Sequence, residues 1–166
     1  HEKAKIETKG NESDNIGFPP LVFDADGLKL LKETKNWWNY LPPKTILTPH
    51  PGEMSVLTGL SVTEIQSNRI EIARKYSKKW GHILVLKGAF TIIAHPDETT
   101  AVIPIANPAL SKAGTGDVLA GMVVGFAAQG VEPFTAAVLA SWIHGKSGII
   151  TAQEQGNTAS VIAGDL

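Results

Sequence analysis

Apolar residues in this chain fall into short runs and spaced stripes, with polar residues closing each run. Leu21-Val22-Phe23 ends on Asp24, Thr45-Ile46-Leu47-Thr48 runs into Pro49-His50-Pro51-Gly52-Glu53, and His82-Ile83-Leu84-Val85-Leu86 ends at Lys87-Gly88. Runs of this length, apolar throughout, predict parallel strands buried on both faces. Between the first two, residues 27–40 predict a helix stopped by Pro42-Pro43. Ser61 with Glu64 three residues on is a capping box, and predicts a helix to about Trp80. Val62, Ile65, Ile72, Ala73 and Tyr76 roughly follow the helical period there, and Arg74, Lys75, Lys78 and Lys79 crowd the last turns, where they suit the helix dipole. Residues 90–94 and 100–104 flank the turn Pro96-Asp97-Glu98 and predict a β-hairpin. A turn at Gly114 feeds a helix over about 116–129, and Pro133 opens another running to about Gln153. A last helix is expected to begin near Thr158.

Residues 1–20 are polar, lack periodicity and end in Pro19-Pro20, so they are read as a separate loop or frayed helix remnant before a folded domain over 21–166. Strands alternating with helices predict an α/β layered sheet. Ligands of such sheets bind beyond the carboxyl ends of the strands. Four loops gather there on this reading: residues 24–27, 48–53, 87–91 and 107–117.

Composition narrows the partners. The chain has 166 residues, 43% hydrophobic and 19% charged, enough for one domain with a real core. Net charge is −1 with 15 scattered basic residues, which argues against a nucleic-acid partner. Cysteine is absent, so disulfides, thiolate metal sites and a cysteine nucleophile are excluded, and a reducing compartment fits. Neither a signal pattern nor an apolar run long enough for a bilayer occurs, so no membrane partner and a cytoplasmic location are expected. The chain begins at His1 and stops at Leu166 inside an apolar-periodic stretch, as a piece of something longer would.

The strongest chemical signal is Lys112-Ala113-Gly114-Thr115-Gly116-Asp117-Val118-Leu119-Ala120-Gly121. Gly114 and Gly116 leave no side chains between main-chain N–H groups and an anion, and the following helix adds its free N–H groups and positive dipole end. A phosphate would be held there. Asp117 stands in the first turn, where a carboxylate beside a phosphate would weaken binding unless it accepts a proton from an attacking hydroxyl. The plainer alternative is an acidic residue favouring the dipole beside a tight glycine turn. No Gly-Lys-Ser/Thr follows, so this is not a Walker loop, and Leu119 takes the place of the third glycine of a dinucleotide fingerprint.

Asn107-Pro108-Ala109-Leu110 followed by that string resembles the signature of the ADP/ATP-dependent NAD(P)H-hydrate dehydratases, repair enzymes of ribokinase-like fold. Phe23-Asp24-Ala25-Asp26-Gly27-Leu28, Thr48-Pro49-His50-Pro51-Gly52-Glu53, Leu86-Lys87-Gly88-Ala89-Phe90-Thr91 and Asn157-Thr158-Ala159 resemble the family in the same order, from about residue 20 onward. The resemblance implies a three-layer α/β/α sandwich with a mostly parallel sheet, its N-terminal part missing here. It implies that hydrated NADH or NADPH is dehydrated at the expense of ADP or ATP with Mg²⁺, by a protein that is generally a homo-oligomer.

Residue by residue, the resemblance makes Asp117 the catalytic and substrate-contacting group and His50 a contact to the hydrated nicotinamide, although a His between prolines alone reads as a rigid loop residue. Lys87, Gly88, Ala89, Phe90 and Thr91, with Gly114, Thr115 and Gly116, would bind the nucleotide. Glu53 and Asn107 would support metal or phosphate, Glu53 reading equally as an acid at a helix start. Asp24 and Asp26 read as caps of the helix at Gly27, or as support near magnesium. His144 is expected to satisfy a buried hydrogen bond, and Trp37, Trp38, Trp80 and Trp142 to be core or interface residues. A vitamin-precursor kinase of the same fold and a non-catalytic nucleotide-binding domain remain as alternatives.

Overall fold

Successive side chains of the central strands point to opposite faces, and here both faces are covered by helices. A computed structural model describes residues 19–166. In it β1 (Val22–Phe23), β2 (Ile46–Leu47), β3 (Ile83–Leu86), β4 (Ile92–Ala94) and β5 (Thr100–Val102) form a five-stranded sheet in chain order. β1, β2 and β3 run parallel, whereas β3–β4 and β4–β5 are antiparallel. Leu47, Leu84, Leu86, Ile92 and Ala94 meet one helical layer: α1 (Ala25–Leu31), α2 (Pro51–Thr58), α3 (Val62–Ser67) and α4 (Arg69–Trp80). Ile46, Ile83, Val85 and Ile93 meet the other, made of α5 (Thr115–Ala128) and α6 (Pro133–Glu154). Two cores separated by one sheet are what continuous apolar strands require.

The expected strands and the hairpin form, and the Ser61–Glu64 capping box is present. Three helical expectations are corrected. Residues 27–40 are not one helix: α1 stops at Leu31, Asn36 turns left-handed, and a 3₁₀ turn (Trp37–Tyr40) follows. That break drops Trp37 into the core, its ring 5.0 Å from that of Trp80. The helix after Ser61 is likewise broken at Asn68, whose non-helical φ of −136° and ψ of 40° end α3 and start α4. No helix starts near Thr158. Asn157 instead takes the N–H groups of Ala159 and Ser160 on its side-chain oxygen, the turn that competes with helix for such residues, and only a 3₁₀ turn (Ala163–Asp165) follows. The polar segment expected over residues 1–20 lies, to residue 18, outside the described residues. Trp37 and Trp80 are core residues, as expected, while Trp142 is exposed beneath Lys146.

Candidate functional site

All three parallel strands deliver their carboxyl ends to one place. Asp24 follows β1, His50 follows β2, and Lys87 follows β3. The Lys87 ammonium pairs with the Asp24 carboxylate and lies 3.8 Å from Glu53 Oε2. The side chains are only 16%, 13% and 6% exposed, so this is a largely dehydrated cluster of one cation and two carboxylates. Asp24 was expected to cap α1; it stands at the cap position but its side chain accepts no helix N–H, because its carboxylate is turned to Lys87. Asp26 is spent on an exposed pair with Lys29.

His50, which alone reads as a rigid loop residue, sits at the cap of α2. Its Nδ1 accepts the N–H groups of Gly52 (2.9 Å) and Glu53 (3.2 Å), while Glu53 Oε2 accepts the His50 N–H at 2.7 Å. An accepting Nδ1 leaves the ring proton on Nε2, which faces Glu53 Oε1 at 3.4 Å. A Cβ at Gly52 would lie 2.8 Å from the ring, so glycine is required for the imidazole to lie over the helix start.

The start of α5 completes the site. Gly114 adopts φ +84°, and Thr115 closes the turn, its hydroxyl donating to the Leu110 and Lys112 carbonyls at 2.7 and 2.8 Å. No side chain caps α5, and while the Thr115 and Val118 N–H groups bond the Lys112 and Gly114 carbonyls, those of Gly116 and Asp117 remain available. A Cβ at Gly116 would lie 3.4 Å from Lys87 Nζ and 3.9 Å from Asp24 Oδ2, which shows how closely the uncapped helix end abuts the ionic cluster. Arg69 reaches under the Lys87 turn, donating to the Leu86 and Lys87 carbonyls at 3.0 and 3.3 Å. Gly88 has φ +133° and lies against that guanidinium, so the turn tolerates no larger residue.

Beside this end opens a cavity of about 750 Å³, within the usual range of small-molecule sites. Of the residues expected to bind nucleotide, Lys87, Gly88, Ala89, Thr91, Thr115 and Gly116 line it, as do His50 and Asn107. Phe90 and Gly114 do not; Phe90 is exposed at φ +55°, and Gly114 turns toward Ala163. Asn107 Oδ1 accepts the Ala109 N–H at 3.0 Å, fixing the turn Pro108–Ser111. Asp117, at the third residue of α5, is exposed, stands outside the cavity wall and makes no hydrogen bond or ion pair among the described residues. Sequence reasoning passed over Ser141 as a wall residue; His144, expected to satisfy a buried hydrogen bond, is buried and meets the Thr115 backbone, while its Nε2 has no partner among the described residues.

A family profile described as NAD(P)H-hydrate dehydratase matches residues 10–165. The chain belongs to this family. It is 44% identical over 147 residues to the bifunctional NAD(P)H-hydrate repair enzyme Nnr of Moorella thermoacetica, covering 89% of this chain and 28% of that protein. It is 38% identical over 150 residues to the ADP-dependent (S)-NAD(P)H-hydrate dehydratase of Neisseria meningitidis serogroup B, covering 89% and 50%. Among solved structures, the Bacillus subtilis ADP/ATP-dependent NAD(P)H-hydrate dehydratase co-crystallized with ATP/Mg²⁺ superposes with a TM-score of 0.77 at 34% identity, over 87% of this chain and 50% of that one. A ribokinase-like superfamily protein of Enterococcus faecalis gives 0.65 at 28% identity, over 81% and 45%. The fold is therefore ribokinase-like, and the chain spans half or less of the length of these relatives.

Proposed function

We propose that this chain carries the nucleotide-binding and catalytic part of an ADP- or ATP-dependent dehydratase that returns (S)-NAD(P)H-hydrate to NAD(P)H. The observation that carries the reading is the uncapped start of α5, abutting Lys87 at the edge of a cavity large enough for a nucleotide. Amide N–H groups at a helix start and a lysine point charge together suit a terminal phosphate. Asp117 stands in that same first turn with its carboxylate uncommitted.

Asp117 takes the proton from the hydroxyl of the hydrated ring as that oxygen attacks the terminal phosphorus; the bond from phosphorus to the bridging oxygen breaks and AMP or ADP leaves. In the ester so formed the ring carbon–oxygen bond then breaks, inorganic phosphate leaves and the neighbouring ring carbon loses a proton, restoring the dihydropyridine. The helix start and Lys87 carry the charge that gathers on the transferred phosphoryl group. His50, with its Nε2–H beside Glu53, offers a hydrogen-bond donor to the hydrated ring. Magnesium needs only one or two carboxylates beside phosphate oxygens. Glu53 at the phosphate end, with Asn107 on the wall, suits that supporting role, and no cluster of three metal-ligating side chains occurs among the described residues. The ion would neutralise phosphate charge.

A cytoplasmic homo-oligomer is part of the reading. It accords with exposed Leu139, Trp142, Ile143 and Ile150 on α6 and with the lack, among the described residues, of a helix long and apolar enough to cross a membrane. The test is Asp117→Asn. Losing a general base costs on the order of 10²–10⁴-fold in rate, so NADH formation from its hydrate with ADP should fall by that factor while ADP still binds. Unimpaired turnover in the variant would overturn the assignment, and a stable phosphoester product would make the protein a kinase.

A further inference from the structure

Arg69 stands where a cation is poorly placed. It is the first residue of α4, a helix of 12 residues, and so occupies the positive end of the helix dipole. Its side chain is half-buried, and burial alone shifts the guanidinium, below the usual arginine range, with no acidic neighbour acting against it. Its Nε is buried without a hydrogen-bond partner among the described residues. Each of these features costs stability, and residues that break local rules in this way mark functional positions.

What the guanidinium touches is the end of β3. Nη2 donates to the Leu86 carbonyl at 3.0 Å and the Lys87 carbonyl at 3.3 Å, while Nη1 donates to Gln66 Oε1 at 2.8 Å. The Gly88 backbone lies directly on the group, since a Cβ there would be 3.3 Å from Nη1 and 3.4 Å from Nη2. In a trans peptide the carbonyl and the following N–H point opposite ways. A Lys87 carbonyl held on Arg69 therefore turns the Gly88 N–H away from the guanidinium. Neither the Gly88 nor the Ala89 N–H has a partner among the described residues, and both residues line the cavity with Lys87. Around them the turn is tied down. The Lys87 N–H donates to the Pro49 carbonyl at 2.9 Å, the Thr91 hydroxyl to the Gly88 carbonyl at 2.9 Å, and the Phe90 N–H to the Ile105 carbonyl at 3.0 Å.

We propose that Arg69 is a positioning residue for phosphate binding. Its bonds to the end of β3 hold the Lys87–Gly88 peptide in the orientation that leaves the Gly88 N–H free for a phosphate oxygen beside the Lys87 ammonium. Arg69 itself stands outside the cavity wall and touches no ligand. This rests on the nucleotide reading above and adds to it a residue on which the Lys87 end of the site depends.

Titration calorimetry of the full chain with ADP and with pyrophosphate, beside the amide resonances of nitrogen-labelled protein, tests the proposal. In the wild type the Gly88 amide resonance moves when pyrophosphate is added. Arg69→Met weakens ADP and pyrophosphate alike, about tenfold, the worth of one hydrogen bond to a charged group. It also removes the Gly88 response while the Gly116 amide still moves. Arg69→Lys keeps the charge but not the planar group on which the Gly88 backbone lies, so its affinities fall between. A merely structural arginine would lower the melting temperature of both variants and leave the affinities of the folded proteins unchanged; that result overturns the proposal. So does an Arg69→Lys variant that binds as the wild type does. A wild-type Gly88 amide that ignores bound pyrophosphate overturns it too, and that measurement serves if both variants fold poorly. A wild type that binds neither ADP nor pyrophosphate overturns the nucleotide reading with it.

Discussion

Replacing Lys87 with methionine keeps the aliphatic stem and removes the one cation between two carboxylates. Lys87 lies 3.8 Å from Glu53 and in direct contact with Asp24. At such distances a single pair is worth about 4 kcal/mol at an effective dielectric constant of 20. Much of that attraction offsets the cost of taking the charges out of water, but removing one partner leaves that cost uncompensated, typically by about 3–5 kcal/mol. The three side chains keep 16%, 13% and 6% of their exposure, so some rehydration is open to them and the lower end applies, about 3 kcal/mol. Neutralising Asp24 in the same protein removes half of the stranded charge, so Lys87→Met with Asp24→Asn should cost less than Lys87→Met alone. Urea unfolding of the wild type, both single variants and the double variant measures the coupling. Lys87→Met should also weaken ADP at least tenfold, since a phosphate would then face two unpaired carboxylates. A loss of stability below about 0.5 kcal/mol, with no rescue by Asp24→Asn, would refute the picture of a dehydrated ionic cluster.

Gly148→Ala places a methyl 2.6 Å from Leu110, and overpacking of this kind costs about 1–3 kcal/mol; a thermal melt should fall accordingly and ADP affinity should drop as the wall moves, whereas an unchanged melt would mean that α6 and Leu110 are not in contact. Burial pushes both His82 and His144 below the usual histidine range, opposed at His82 by its hydrogen bond to the Trp38 carbonyl. The unfolded chain therefore takes up protons on these rings near pH 6.5 while the folded one does not. Stability is full above that pH and declines as pH falls toward the lowered folded values; His82→Gln should flatten the decline between pH 6.5 and 5, and stability rising over that window would contradict the burial of both rings.

What the sequence made legible was local. β2 and β3 are short apolar runs whose burial on both faces follows from the sequence alone, β1 at the sheet edge is only half-buried, and Ser61 with Glu64 announces its own helix. The start of α2 was missed because histidine is not a usual cap, although Pro51 at the first position and Glu53 at the third repeat the capping-box pattern. Asn36 and Asn68 break helices whose apolar periodicity runs through them, and only packing, such as Trp37 on Trp80, decides that. Asp24 reads as a cap from its neighbours, yet its partner is 63 residues away. The glycine turn before Asp117 was visible because a phosphate cradle is written in consecutive residues. Ser141 and His144 carry no such signature: that they line the same cavity as Ile103, Ile105 and Leu110 is a tertiary fact.

The most direct test is a crystal structure of the protein with ADP. The account predicts the terminal phosphate on the amides of Gly116 and Asp117 with Lys87 Nζ beside it. A phosphate bound elsewhere, with the first turn of α5 left to solvent, would contradict it.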